Sequence, residues 1–109
     1  METGLMFKAL GEPTRFRLFQ MLLKRKRCVR SLARETGLSE AAVSQHMKVL
    51  REAGLVHAEQ FGYHTHYVPE PDALTELGKT MEEMKRQALS PDTEPEGFCC
   101  ACRKKEESK

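Results

Sequence analysis

No stretch of the chain approaches the roughly 18 consecutive apolar residues that a membrane-spanning helix needs, which excludes a transmembrane helix. The start, Met1-Glu2-Thr3-Gly4-Leu5, also lacks the basic region and long apolar core of a secretory signal. Cytoplasmic residence and no membrane partner are therefore the expectation. There is no tryptophan and no internal repeat, and the composition is that of a soluble globular protein with room for one domain in 109 residues. No glycine-rich phosphate loop occurs, and the histidines form no evident nucleophile–base–acid set, so an enzyme is not expected. Charge of one sign is scarce too, the formal net charge being only +2.

Its distribution is more informative. Six basic residues, Lys24, Arg25, Lys26, Arg27, Arg30 and Arg34, fall within eleven positions. Such a cluster in a near-neutral chain can neutralise phosphates, and it can equally be a solvated helix end and loop.

Periodicity divides residues 1–89 into elements. Leu5, Met6, Ala9 and Leu10 predict a short helix over 4–10, ended by Gly11. Pro13 suits the first turn of a second helix, where a missing N–H costs nothing. In that helix Phe16, Phe19, Leu22 and Leu23 are expected to bury one face, and the helix is expected to run into Lys24–Arg27. A third helix over 29–36 turns Val29, Leu32 and Ala33 inward, with Gly37 as its C-cap. Ser39 is a good N-cap for a fourth helix over 40–53, ended by Gly54. Two helices joined only by Gly37-Leu38-Ser39 match the helix-turn-helix pattern. Leu55–Phe61 and His64–Val68, joined at Gly62-Tyr63, predict a β-hairpin, which in this position is a wing. After Pro69 and Pro71, a last helix over 72–89 carries Leu74, Leu77, Met81, Met84 and Ala88. Their alternating steps of 3 and 4 residues form a narrow seam suited to a second helix, the alternative being packing on the chain's own domain; a homodimer is expected, since a domain this small needs extra burial.

The fold class is thus mainly α: a dimeric winged helix-turn-helix of five helices with one β-hairpin wing. Residues 1–89 form the DNA-binding and dimerisation domain, and 90–109 a flexible tail containing cysteines. In the fourth helix Val43, Met47 and Leu50 form the inward stripe, leaving Ala41, Ala42, Ser44, Gln45 and Lys48 outward. Small and polar side chains there suit entry into the major groove of double-stranded DNA. Gln45 can pair bidentately with adenine, Ala41 or Ala42 can touch a thymine methyl, Ser44 can serve bases or phosphates, and Lys48 can hold phosphate. Ser39 belongs to the same face. His46, at the stripe's edge, is either half-buried and hydrogen-bonded or a DNA contact. Tyr63 and His64, at the wing tip, can reach the minor groove or its phosphates, or form only an exposed turn.

Two runs, Phe7-Lys8-Ala9-Leu10-Gly11-Glu12-Pro13-Thr14-Arg15 and Leu38-Ser39-Glu40-Ala41-Ala42-Val43-Ser44-Gln45-His46-Met47-Lys48-Val49-Leu50-Arg51-Glu52-Ala53-Gly54-Leu55-Val56, resemble the ArsR/SmtB family. The resemblance covers about residues 5–89. It implies a dimer built from the first and last helices, binding to an imperfect palindromic operator, and repression relieved by a metal or metalloid ion. One family sensing motif, Cys-Val-Cys at the start of the third helix, reads Cys28-Val29-Arg30 here, with one thiol lost. Another uses Asp and His pairs on the last helix, but no histidine follows His66.

The remaining thiols are Cys99, Cys100 and Cys102, too close together to cross-link distant parts of a fold. Some family members sense trivalent arsenic through a C-terminal cysteine cluster, and this stretch is similar. Three thiolates without imidazole or carboxylate favour a soft, three-coordinate site, which suits As(III) or Sb(III). Cuprous, cadmium or mercuric ions share that chemistry, whereas zinc wants a fourth ligand. Arg103, Lys104 and Lys105 favour the thiolate form. The alternative is a thiol-based redox repressor of the same fold, with a Cys99–Cys102 or intersubunit disulfide. Cys28 either needs no function, as a small buried residue, or joins the tail cysteines.

Overall fold

The computed structural model describes residues 2–90. In chain order the elements are α1 (Thr3–Leu10), α2 (Pro13–Lys24), β1 (Arg27–Cys28), α3 (Val29–Thr36), α4 (Glu40–Glu52), β2 (Val56–Phe61), β3 (His64–Pro69) and α5 (Pro71–Leu89). Cys99, Cys100 and Cys102 lie outside the described residues.

Local chemistry fixes the helix starts. Glu2 Oε1 accepts from the Leu5 N–H at 2.9 Å, Glu12 Oε1 from Arg15 at 2.8 Å, and Ser39 Oγ from Ala42 at 3.0 Å. Each satisfies a donor that the first helical turn would leave open. Pro13 and Pro71 occupy first turns, as their fixed φ allows. Between α3 and α4 the chain reverses through Gly37, whose φ of 80° is open to a residue without Cβ. Its N–H closes α3 on the Ala33 carbonyl at 2.9 Å. Thr36 Oγ1 donates to the Leu32 carbonyl at 2.7 Å and accepts from the Leu38 N–H at 3.3 Å, which stiffens the turn.

The core gathers one face of every helix: Met6 from α1, Leu18 and Leu22 from α2, Leu32 from α3, and Val43, Met47 and Leu50 from α4, with Leu55 beside them. Ala73 and Leu77 bring the first half of α5 into the same cluster. Leu50 is fully buried, so Leu50→Ala is expected to cost about 2–5 kcal/mol from lost transfer energy plus the cavity left behind. Urea unfolding at fixed protein concentration measures it; a loss well under 1 kcal/mol would mean that α4 does not anchor the core.

Three expectations need correction. Helix α2 stops at Lys24; Arg25 is already extended at φ −172°. Arg27 and Cys28 instead form β1, pairing with Tyr67 and His66 of β3, so the hairpin becomes a three-stranded sheet ordered β1-β3-β2. The physical reason is that β3 has a free edge whose N–H and C=O groups need partners. Third, Phe16 and Leu23 do not belong to the buried face: they are 46% and 51% exposed, while Leu18 is buried beside Phe19 and Leu22. At 100° per residue, 18, 19 and 22 share one face, and 16 and 23 lie together on its flank.

Candidate nucleic-acid interface

Burying Val43, Met47 and Leu50 turns the opposite side of α4 to solvent, and Ala41, Ser44, Gln45 and Lys48 are exposed there, with Ala42 half-buried. Ser39 is exposed at the start of the helix, its hydroxyl engaged in the cap. The outward half-turns are small or polar, as close approach to a groove requires.

The wing stands beside this helix. β2 and β3 are antiparallel, with Phe61 opposite His64 and a two-residue loop of Gly62 and Tyr63. Gly62 has φ +61° and no other residue of the loop has positive φ, the arrangement that a glycine-first two-residue turn requires. The turn projects Tyr63 fully into solvent, with His64 exposed beside it. A cleft of about 450 Å³ separates the wing from the helix-turn-helix, lined among others by Arg30, Glu40, Ser44, Tyr63, His64 and Thr65. The fold therefore brings Ser44 of α4 to the same cleft as Tyr63 and His64, about twenty positions later in sequence.

Arg30 enters the site as well, a residue that the sequence places only in the basic cluster and not at the cleft. It is exposed in the first turn of α3 and lines the cleft. Its position in the first turn of the helix that precedes α4 was the available signal. The basic cluster itself divides. Glu35 on α3 binds both Arg27 and Arg25, the latter at 3.9 Å, and Glu59 takes Lys26 at 3.2 Å. The Arg27 hydrogen bond holds the Glu35 carboxyl below its ordinary range, with further pull from the charges of Arg27, Arg25 and Lys24. Among the described residues Lys24, Arg30 and Arg34 are left without an ion pair, so the positive charge available to phosphates is about half of what the sequence displays.

His46 is half-buried, and its Nδ1 lies 3.5 Å from a guanidinium nitrogen of Arg15. Arg15 Nε donates to the Ala9 carbonyl at 2.7 Å, so the arginine ties α1, α2 and α4 together. The structure gives His46 a half-buried place at the edge of the inward stripe, in contact with Arg15. Cys28 caps α3 without a side-chain hydrogen bond and is half-buried. Among the described residues no three His, Cys, Asp or Glu side chains are placed to hold a metal ion, nor is any helix long and apolar enough to cross a membrane.

Among the described residues, nothing covers the second half of α5. Met81 and Met84 are 55% and 54% exposed and every residue from 81 to 90 faces solvent, while the seam's earlier members, Leu74 and Leu77, pack on the chain's own core. Helix α1, which packs against α5, leaves Leu5 exposed as well.

Known proteins share this arrangement. The family model described as bacterial regulatory protein, arsR family, matches residues 12–58, from the cap of α2 into β2. An uncharacterized HTH-type transcriptional regulator of Methanocaldococcus jannaschii is 30% identical over 79 residues, covering 72% of this chain and 89% of that protein. A probable mercury resistance operon repressor of Streptomyces lividans is 29% identical over 98 residues, 90% of this chain and 74% of that one. The crystal structure of a possible transcriptional regulator for arsenical resistance superposes with a TM-score of 0.67 at 32% identity, over 82% of this chain and 97% of the other. A helix-turn-helix with a wing, relatives that regulate transcription and the family match agree: the chain belongs to the arsR family of bacterial regulatory proteins and is a transcriptional regulator.

Proposed function

We propose that the protein is a cytoplasmic homodimeric repressor that binds double-stranded operator DNA and is released from it by As(III) or Sb(III) held at Cys99, Cys100 and Cys102. The observation that carries the inducer is the donor set. It offers three thiols within four residues, with Arg103, Lys104 and Lys105 following, and no imidazole or carboxylate between the first and last thiol. Soft thiolates select soft ions, and three of them suit trivalent arsenic or antimony better than zinc. Two relatives support a thiophilic inducer, one described as a probable mercury resistance operon repressor and one as a possible regulator for arsenical resistance. The other metal positions of the family are weaker: Cys28 stands alone, and Arg30 occupies the place of a second thiol.

DNA recognition is assigned to α4 and the wing. Gln45 reads a base, Ser44 and Ala41 or Ala42 accompany it, and Lys48, with Arg30, holds phosphate. Tyr63 and His64 approach the adjacent groove. Dimerisation is assigned to α1 and the bare half of α5, because the residues from 79 to 89 would make an isolated helix too short to be stable in water without a partner.

The test is fluorescence anisotropy of a labelled promoter fragment from upstream of the protein's own gene, under reducing conditions, with arsenite, antimonite, cadmium, copper(I) or zinc. Tight binding released by arsenite or antimonite is the expected result. Binding indifferent to every ion but released by peroxide would replace the inducer reading with the redox one. In the same assay Gln45→Ala is expected to lose about 1–3 kcal/mol of discrimination at one base pair. Lys48→Ala should instead weaken all sequences alike and reduce the salt dependence by about one phosphate contact. Equal effects of the two substitutions on matched and mismatched operators would remove Gln45 from base reading.

A further inference from the structure

His57 on β2 has a different carboxylate against each ring nitrogen. Nδ1 lies 2.9 Å from Glu70 Oε2 and Nε2 lies 2.8 Å from Glu59 Oε2. A neutral imidazole has one N–H, so one of these contacts would then set a lone pair against a carboxylate oxygen. Only the imidazolium satisfies both. Lys26, in the segment between α2 and β1, donates to the other oxygen of Glu59 at 3.2 Å. Lys26, Glu59, His57 and Glu70 therefore form one chain of alternating charge.

The chain joins two parts of the molecule. Glu59 belongs to the wing. Glu70 is the residue directly before α5, and its side chain does not cap that helix; it is bonded to His57 instead. Its backbone N–H donates to the Leu55 carbonyl at 2.8 Å, just before β2 begins. The cross-strand partner of His57 on β3 is Val68, while His66 lies opposite Glu59 and stacks on Phe61 with ring centroids 4.7 Å apart.

We propose that His57 is a proton-operated latch between the wing and the head of α5: protonated, it draws Glu59 and Glu70 together; deprotonated, it repels one of them and frees the junction. The electrostatics agree with the geometry. The hydrogen bond to Glu59, with the charge and hydrogen bond of Glu70, raises the His57 pKa above its ordinary value near 6.5 against some desolvation. The hydrogen bonds from His57 and then Lys26 lower the Glu59 carboxyl below its ordinary 4.5. A histidine raised on folding contributes fully below about 6.5 and loses that contribution as the pH climbs through its raised value. A carboxylate lowered on folding contributes above 4.5 and loses it as the pH falls through the lowered value. The latch is closed between those limits and opens on the alkaline side through His57. Because the wing approaches DNA and α5 carries the proposed dimer face, an open latch loosens the placement of the wing relative to the partner's; this part rests on the repressor reading above.

The test uses the full chain. NMR follows the His57 ring carbons across pH in the native protein and in Glu70→Gln. Hydrogen exchange follows the Glu70 amide in the native protein and in His57→Gln. His57 is expected to titrate above 6.5 and to fall back toward it in Glu70→Gln. Protection of the Glu70 amide is expected to drop at least about fivefold through that titration, beyond the intrinsic effect of hydroxide, and to stay constant in His57→Gln. Operator affinity should weaken by a comparable factor in the native protein only, the lower end of ordinary coupling between sites. A His57 that titrates at or below 6.5, or an amide whose protection follows the same course in His57→Gln, overturns the latch. Operator binding that ignores a responding latch overturns its coupling to DNA. Failure to bind any operator counts against the repressor reading, and the exchange data then decide the latch alone.

Discussion

Met81→Glu combined with Met84→Glu is expected to lower operator affinity by roughly two to four orders of magnitude, the factor by which linking two binding heads exceeds either alone. Both side chains are more than half exposed on a part of α5 that no other described residue covers. Replacing them therefore removes little packing among the described residues, and the Val43, Met47 and Leu50 stripe that holds α4 in place is distant in sequence and intact. A carboxylate on each methionine position would place like charges across a desolvated helix pair, where an unpaired buried charge is strongly unfavourable. Sedimentation should show a protomer where the native chain gives a dimer, and anisotropy should show the accompanying loss of operator binding. A variant that stays dimeric and binds DNA normally would move the interface away from α5. Exposed Phe16 and Leu23 on α2 would then be the next surface to alter.

Cys99→Ser or Cys102→Ser is expected to leave operator affinity unchanged while abolishing its response to arsenite. An ion that weakens DNA binding must bind the DNA-free dimer more tightly by the same factor, and ordinary coupling of about 1–3 kcal/mol corresponds to a release of roughly 5–150-fold. Serine keeps the shape of the side chain and removes the soft donor, so a three-thiolate site drops to two and loses its preference for a three-coordinate metalloid. Cys28→Ser is the control: with its thiol at the start of α3 and Arg30 in place of a second cysteine, its loss is expected to leave the response intact. If the Cys102 variant still released DNA with arsenite while the Cys28 variant did not, the sensing site would lie at α3.

How much of this was legible depended on whether the information was local. Helix α4 was read correctly because its apolar residues make a narrow stripe, and only one inward face is compatible with Val43, Met47 and Leu50. Helix α2 has six apolar residues, Phe16, Leu18, Phe19, Met21, Leu22 and Leu23, spread around most of its circumference. Periodicity alone could not choose among them, and the core chose Leu18 over Phe16 and Leu23. The strand β1 is two residues long, too short to show a period of two, and its existence depends on Tyr67 and His66 about forty positions later. The same holds for the site. The outward residues of α4 followed from one helix, whereas the Arg15 contact of His46 and the neutralisation of Arg25, Lys26 and Arg27 depend on partners brought in by the fold.

The strand order β1-β3-β2 places β2 on the outside of the sheet. An outer strand is a template on which another chain can add itself, and a regulator whose wings gather along neighbouring stretches of DNA would be exposed to that hazard. Here the free margin is six residues long and bears His57, Glu59 and Gln60, polar or charged side chains that suit water and discourage a flat second strand. The opposite margin is covered at its root by β1. The wing can therefore be crowded without polymerising.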